Sequence, residues 1–311
     1  MRNLTLKQLR AVRAVVRHRK IASAANQLGL TPSAVTLQIK EVEKEFGVIL
    51  FDRTGDGVHP THAGLAVVDA ARAIESRLEE LGEDIDAIKG LRKGTLSLGV
   101  VSTAKYFAPR MMAAFMKMLP GIEMKLTVGN RAEIITALES RTIDIAIMGR
   151  PPRGVPMRAV MIGDHPLVII APPDHELAGT HSISKDRIAR EHFLVREPGS
   201  GTRTSLEIYL ADIPGRLDNL GTDMGSNETI KQAVMAGLGI AFISAHTIEQ
   251  EVELGRLVLL DVVGLPVHRQ WFAVSRSDRK LSHALAAFQD FLTSRAKHHL
   301  PDIAMPVPTT L

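Results

Sequence analysis

Leu6, Leu9, Val12, Val15 and Val16 fall at helical spacing, which predicts an amphipathic helix over residues 4–17. A shorter helix fits Ile21–Leu28, where Ala22, Ala24 and Ala25 permit close packing and Gly29 is suited to a left-handed ending. Thr31 and Pro32 read as N-cap and first helical residue of a third helix reaching about Glu45. Val35, Ile39 and Val42 form its apolar stripe, with Thr36, Gln38 and Lys40 off it, and Gly47 stops it. Residues 49–61 predict two short strands around the turn Gly55-Asp56-Gly57.

A long helix follows over residues 61–89. Ile74, Leu78, Leu81, Ile85 and Ile88 are spaced 4, 3, 4 and 3 apart, the seam of a coiled coil. A single seam needs a partner, and a second copy of the chain fits better than the protein's own body. Gly90 to Gly94 reads as a short basic hinge. Beyond it the pattern alternates. Strands are predicted at 95–101, 123–128, 143–148, 167–171, 193–196, 239–243, 257–260 and 271–274, with helices near 105–118, 131–140, 202–211, 227–237 and 281–298. This predicts an α/β domain with a largely parallel sheet, long enough for two lobes. The last residues, PDIAMPVPTTL, read as a Pro-rich disordered tail.

Composition narrows the function. With 45% apolar residues among 311, the chain can bury a sizeable core. It has no cysteine, which excludes disulfides, thiolate metal sites and cysteine nucleophiles. The charged N-terminus is unlike a secretory signal, and no apolar run is long enough to span a membrane, so a cytoplasmic protein is expected. The net charge of +4 is uneven: residues 1–62 hold ten Lys/Arg against five Asp/Glu, and the rest of the chain is close to neutral. A basic head on a neutral body points to a polyanion partner. An enzyme is the main rival reading. His165, His175, His181 and His192 are scattered, His298-His299 lies beside the tail, and neither HExxH nor GxSxG spacing occurs. No catalytic or metal residues are therefore assigned.

Helix, glycine turn, Pro-started helix and glycine hairpin together predict a winged helix-turn-helix, which presents its second helix to a major groove. Ser33, Thr36 and Gln38 suit base edges, while Thr31, Lys40 and Arg53 suit phosphates. In the larger domain, hydroxyls, glycines and cations recur where strands end and helices begin: Ser102-Thr103 with Lys105 nearby, Met148-Gly149-Arg150, and Ser200-Gly201-Thr202-Arg203. Such places offer helix N-terminal amides to an anion. A phosphorylated metabolite or an organic acid is the expected ligand, although each motif alone is also an ordinary helix cap. An architectural DNA-binding protein would not need so large a second domain, whereas a ligand-independent activator stays open.

The stretch ASAANQLGLTPSAVTLQIKEVEKEFGVILFDRT, followed by THAG, resembles the head of LysR-type transcriptional regulators. TAKYFAPR, VGNRAEI, DIAIMGRPP and REPGSGTR resemble the effector domain of the CbbR-type regulators of Calvin-cycle (RuBisCO) operons. The resemblance implies an all-α winged helix-turn-helix at 1–62, a dimerisation helix at 63–90, and an effector domain at 91–311 like type 2 periplasmic binding proteins. Its lobes would span about 91–161 with 270–300, and about 162–269. The resemblance further implies a homotetramer that bends double-stranded promoter DNA, contacts to DNA from Thr31, Ser33, Thr36, Gln38 and Arg53, RNA polymerase as a further partner, and a phosphorylated or NADPH-like effector. It carries the ligand site to Ser102, Thr103, Asn130, Met148, Gly149, Arg150, Gly201, Thr202 and Asn227, with Lys105, Arg131 and Arg203 adding charge. Asp56 in the wing departs from the basic or small polar residue common there.

Overall fold

The computed structural model describes residues 3–54, 57–88, 94–152, 154–278 and 281–303. The chain divides into two compact units, Met1–Gly82 and Glu83–Leu311.

In the first unit, α1 (Leu6–His18) starts from a reciprocal cap. The Thr5 hydroxyl accepts from the Gln8 amide, and the Gln8 side chain accepts from the Thr5 amide at 2.7 Å. α2 (Ile21–Leu28) ends at Gly29 in the left-handed region, φ 63°. α3 (Pro32–Phe46) is capped by Thr31, and Pro32 occupies a first-turn position where no intrahelical N–H is needed. Val12, Val15, Ala24, Ala25, Val35, Ile39 and Val42 close one apolar core. Strands β1 (Phe51–Thr54) and β2 (Gly57–Pro60) pair antiparallel as the wing. The Val58 amide donates to the Arg19 carbonyl, which ties the wing to the α1–α2 corner.

α4 (His62–Ile88) begins inside this core and leaves it. Thr61 supplies its start: the Thr61 hydroxyl donates to the Ile49 carbonyl and accepts from the Gly64 amide. Val67, Val68 and Ala71 are buried in the head core. Further along, Ile74, Leu78, Leu81 and Ile85 are all exposed. The side chain of Ile88 is outside the described residues, as are the hinge residues 90–93; Gly94 already belongs to a strand.

The second unit contains β3 (Gly94–Val101), α5 (Ala108–Met118), β4 (Ile122–Gly129), α6 (Arg131–Glu139), β5 (Ile145–Met148), β6 (Met157–Ala171), α7 (Lys185–Ile188), β7 (Leu194–Arg196), α8 (Gly201–Tyr209), β8 (Thr222–Met224), α9 (Asn227–Met235), β9 (Ala241–Ser244), α10 (Glu249–Glu253), β10 (Val258–Leu259), β11 (Val267–Arg276) and α11 (His283–Arg295). The expected largely parallel sheet is a mixed one. β4, β3 and β5 are parallel, but β11 runs antiparallel to both β5 and β6, and β9 and β10 run antiparallel to β6. The expected 167–171 strand is the second half of the fifteen-residue β6, whose first half was hidden by Gly163-Asp164-His165-Pro166, a turn-like run.

β6 and β11 join two lobes. Ile162, Trp271 and Val274 pack with Leu98, Phe107, Met111, Phe115 and Phe288 in one core. Leu167 and Ile169 of β6 pack with Phe193, Leu206, Phe242 and Leu260 in another, and Val168 and Ile170 face a third apolar cluster with Ile230 and Ile243. The β6–β11 register shifts between Trp271 and Phe272, both of which pack in the first of these cores. Pro301 is buried, the Asp302 amide donates to Glu249, and Ile303 packs against an apolar cluster, so the expected tail is docked at least as far as residue 303. Residues 304–311 lie outside the description. Among the described residues no helix is long and apolar enough to cross a membrane.

Candidate functional site: a basic cleft and a DNA-facing helix

A cavity of about 340 Å³ opens between the two lobes of the second unit. The end of β3 contributes Ser102 and Thr103, the start of α6 contributes Asn130 and Arg131, and Gly149 and Arg150 follow β5. From the other lobe come Ser200, Gly201, Thr202, Thr204 and Ser205 at the start of α8, while β6 and β11 supply His165 and Arg269. Two helix N-termini therefore face one space.

Arg131, Arg150 and Arg269 meet in this cavity, and among the described residues no carboxylate lines it. Arg131 donates to the Arg150 carbonyl and Arg269 to the Ser205 hydroxyl; among the described residues no ion pair involves any of the three. Burial, then the neighbouring guanidiniums, hold Arg131 and Arg269 below the usual arginine range. Three like charges held without a counter-charge destabilise the empty site, and an anion offsets that cost. Ser102 is oriented for the same task. Its oxygen accepts from the buried Arg196 guanidinium at 2.9 Å, so its O–H is left to donate.

Aromatic rings pack behind the cavity wall at His165. His165 stacks on Trp271 at 3.8 Å, and Trp271 donates its indole N–H to Nδ1 of His246. Both ring nitrogens of His165 are buried and, among the described residues, have no hydrogen-bond partner. Burial, then His246 and Arg269, keep His165 well below its ordinary pKa, and burial pushes His246 down to about 4. Both imidazoles are thus neutral in the folded protein but protonate near pH 6.5 when unfolded. Below that pH the unfolded chain binds protons that the native one refuses, so stability falls as pH drops from about 6.5 towards 4. Melting of the effector domain across that window should show a steady decline. His246→Gln keeps an acceptor for Trp271 without titrating, so it should flatten the slope; an unaltered slope would contradict a neutral His246.

Of the residues expected to bind ligand, Ser102, Thr103, Asn130, Arg131, Gly149, Arg150, Gly201 and Thr202 lie together on the cavity wall. Four do not. Lys105 pairs with Glu228 at 2.7 Å, and that carboxylate also accepts from the Tyr106 hydroxyl. Arg203 pairs with Glu207 and Asp223. Met148 is fully buried in the first lobe's core. Asn227 is buried and accepts from Arg196 at 2.6 Å, so it holds that arginine instead of facing the cavity. Arg269, His165 and Arg196 were missed. Arg269 had a signal: it alternates with Val267 and Trp271, so a cation shares the inward face of a strand.

In the first unit, Thr31 at the N-cap of α3 and Ser33 and Lys40 on it are exposed, and Thr36 and Gln38 are half-buried. Several hydroxyls are already engaged. Thr31 accepts from the Ala34 amide and meets Ser33 at 3.1 Å, and Thr36 donates to the Pro32 carbonyl at 2.9 Å. Arg53 lies on β1, but its side chain is outside the described residues, as is Asp56. Among the described residues no three His, Asp or Glu side chains converge as metal ligands would.

A winged helix-turn-helix with a basic outer face, and a two-lobed domain with a cleft, define a DNA-binding protein of the ligand-sensing regulator class. Comparison with known proteins agrees. Residues 6–65 match the family profile of the bacterial regulatory helix-turn-helix protein, lysR family, and residues 89–297 match the LysR substrate binding domain. The chain belongs to the LysR family of transcriptional regulators: it is a DNA-binding regulator, not an enzyme. It is 60% identical to the HTH-type transcriptional regulator CbbR of Sinorhizobium medicae (strain WSM419), across 99% of this chain and 98% of the relative. It is 45% identical to the RuBisCO operon transcriptional regulator of Allochromatium vinosum, across 94% and 97%. The regulatory domain of Synechocystis PCC6803 CcmR, solved in complex with 2-PG, is 35% identical with a TM-score of 0.61, covering 66% of this chain and 98% of that one. Full-length CbnR complexed with its target DNA shares the fold, with a TM-score of 0.65 and 20% identity over 93% of this chain and 99% of that one.

Proposed function

We propose that the protein regulates RuBisCO operons by binding a phosphorylated metabolite in the interlobe cleft, and that this binding alters how it holds promoter DNA. The convergence of Arg131, Arg150 and Arg269 without a carboxylate carries the reading. The names of the relatives and the 2-PG bound to CcmR support it. At about 340 Å³ the cavity is at the small end of ligand pockets, which favours a compact phosphorylated acid or sugar over a dinucleotide.

The head is residues 1–62, the dimerisation helix 63–90 and the effector domain 91–311. Exposed Ile74, Leu78, Leu81 and Ile85 on α4 pair with a second copy, and dimers assemble into a tetramer. Ser33, Thr36, Gln38, Lys40 and Arg53 face DNA. Ligand shifts the balance between two arrangements of the assembly only to the extent that it binds one better.

A thermal-shift panel on the full chain tests the ligand class: 2-PG, sugar phosphates, phosphorylated three-carbon acids, nicotinamide dinucleotide phosphate and unphosphorylated aromatic acids. A ligand at 100 times its Kd should stabilise the effector domain by about 2.7 kcal/mol, a rise of several degrees. A response to unphosphorylated acids alone would overturn the phosphorylated class. On the DNA side, Lys40→Ala should weaken binding to all sequences alike and reduce the salt slope by about one, while Gln38→Ala should relax sequence preference. Equal losses on specific and random duplexes for Gln38→Ala would contradict base reading by that amide.

A further inference from the structure

The face of α3 turned away from the head core holds Ser33, Leu37, Lys40 and Lys44, which recur at i, i+4, i+7 and i+11. The flanks are engaged by the head itself: Glu41 accepts from the Gln8 amide group at 2.8 Å, and Glu43 accepts from the Leu50 backbone amide at 2.9 Å. This outer face is open. Leu37 lies at its centre, 55% exposed and outside the apolar core. The two lysines beside it are exposed, and among the described residues neither has a carboxylate partner. A large apolar side chain followed by two cations along one helix face complements a surface that is apolar in its middle and anionic at its edge. The major groove is such a surface: phosphates line its rims, and thymine places a C5-methyl group on its floor. The neighbouring Thr36 donates its hydroxyl proton to the Pro32 carbonyl, so towards a base its oxygen can only accept.

We infer that Leu37 is a specificity-determining residue that reads a thymine methyl group in the operator. Lys40 and Lys44 hold the flanking phosphates, so they set position, and Leu37 discriminates thymine from cytosine by apolar contact.

The test uses the full chain and a duplex obtained by selection from a library with a random core. Each thymine of the selected duplex is replaced singly by deoxyuridine, which removes only the C5-methyl group. For the wild-type protein at least one replacement should raise Kd about fourfold, the effect of losing one buried methyl contact. Leu37→Ala should bind the thymine and deoxyuridine duplexes equally, with unchanged melting of the head. A penalty that persists in Leu37→Ala, or no thymine whose methyl matters, overturns the inference. So does a penalty that vanishes in Thr36→Ser and not in Leu37→Ala, which would give the methyl to Thr36. Enrichment of no sequence at all would overturn it as well, since base reading itself would be missing.

Discussion

Arg269→Met should weaken binding of the phosphorylated ligand about 30-fold or more while leaving the unliganded protein as stable as wild type, or more so. The two effects have one cause. Arg269 is half-buried beside Arg150 and Arg131, and its charge there is opposed by burial and by its neighbours. Removing it relieves repulsion in the empty cleft, at the loss of one hydrogen bond to Ser205. In the complex, the same change leaves a desolvated anion short of a partner, which costs about 2–5 kcal/mol. Melting curves with and without ligand measure both. A lower melting temperature without ligand would mean that the guanidinium has a structural counter-charge. An undiminished ligand shift would place the anion elsewhere.

Gly64→Ala should destabilise the head by about 3 kcal/mol and abolish DNA binding near physiological temperature. A Cβ at this position would stand 2.2 Å from the Leu50 carbonyl oxygen and 3.2 Å from its carbon. Both are backbone atoms, so no side chain can swing aside. Leu50 cannot retreat either: it is fully buried, and its carbonyl accepts from the Thr61 amide. Thr61 and Gly64 therefore work together, one capping α4 and the other letting it lie against the chain that leaves α3. Calorimetry of the variant should lower the head transition and leave the effector-domain transition in place. A head that melts as wild type would contradict this seating of α4.

The head was legible in the sequence because its determinants are local. Thr31-Pro32, Gly29 and Gly47 each act within one helical turn, and the stripe of Val35, Ile39 and Val42 sets the buried face of α3. The cleft was only half legible. Ser102, Gly149 and Gly201 could be placed because strand ends and helix starts adjoin in the chain. Arg269 and His165 could not, because β6 and β11 meet across some hundred residues, and only that pairing brings them to the cavity. Long-range pairing also explains the residues placed wrongly. Lys105 and Arg203 offered charge at the right points in the chain, but Glu228, distant in sequence, neutralises the first, and Asp223 together with the local Glu207 neutralises the second. The antiparallel ribbon was hidden for a related reason: Gly163 and Pro166 mimic a turn while the strand continues through them.

Ligand in the cleft should change how the protein holds its DNA. The full chain is bound to a selected duplex, and footprint, bend and affinity are recorded with and without a saturating concentration of the compound that raises the effector domain's melting temperature. At least one of the three should change, and Arg269→Met should abolish the change while still binding DNA. If footprint, bend and affinity all stay the same at saturation, the cleft binds a ligand that does not regulate.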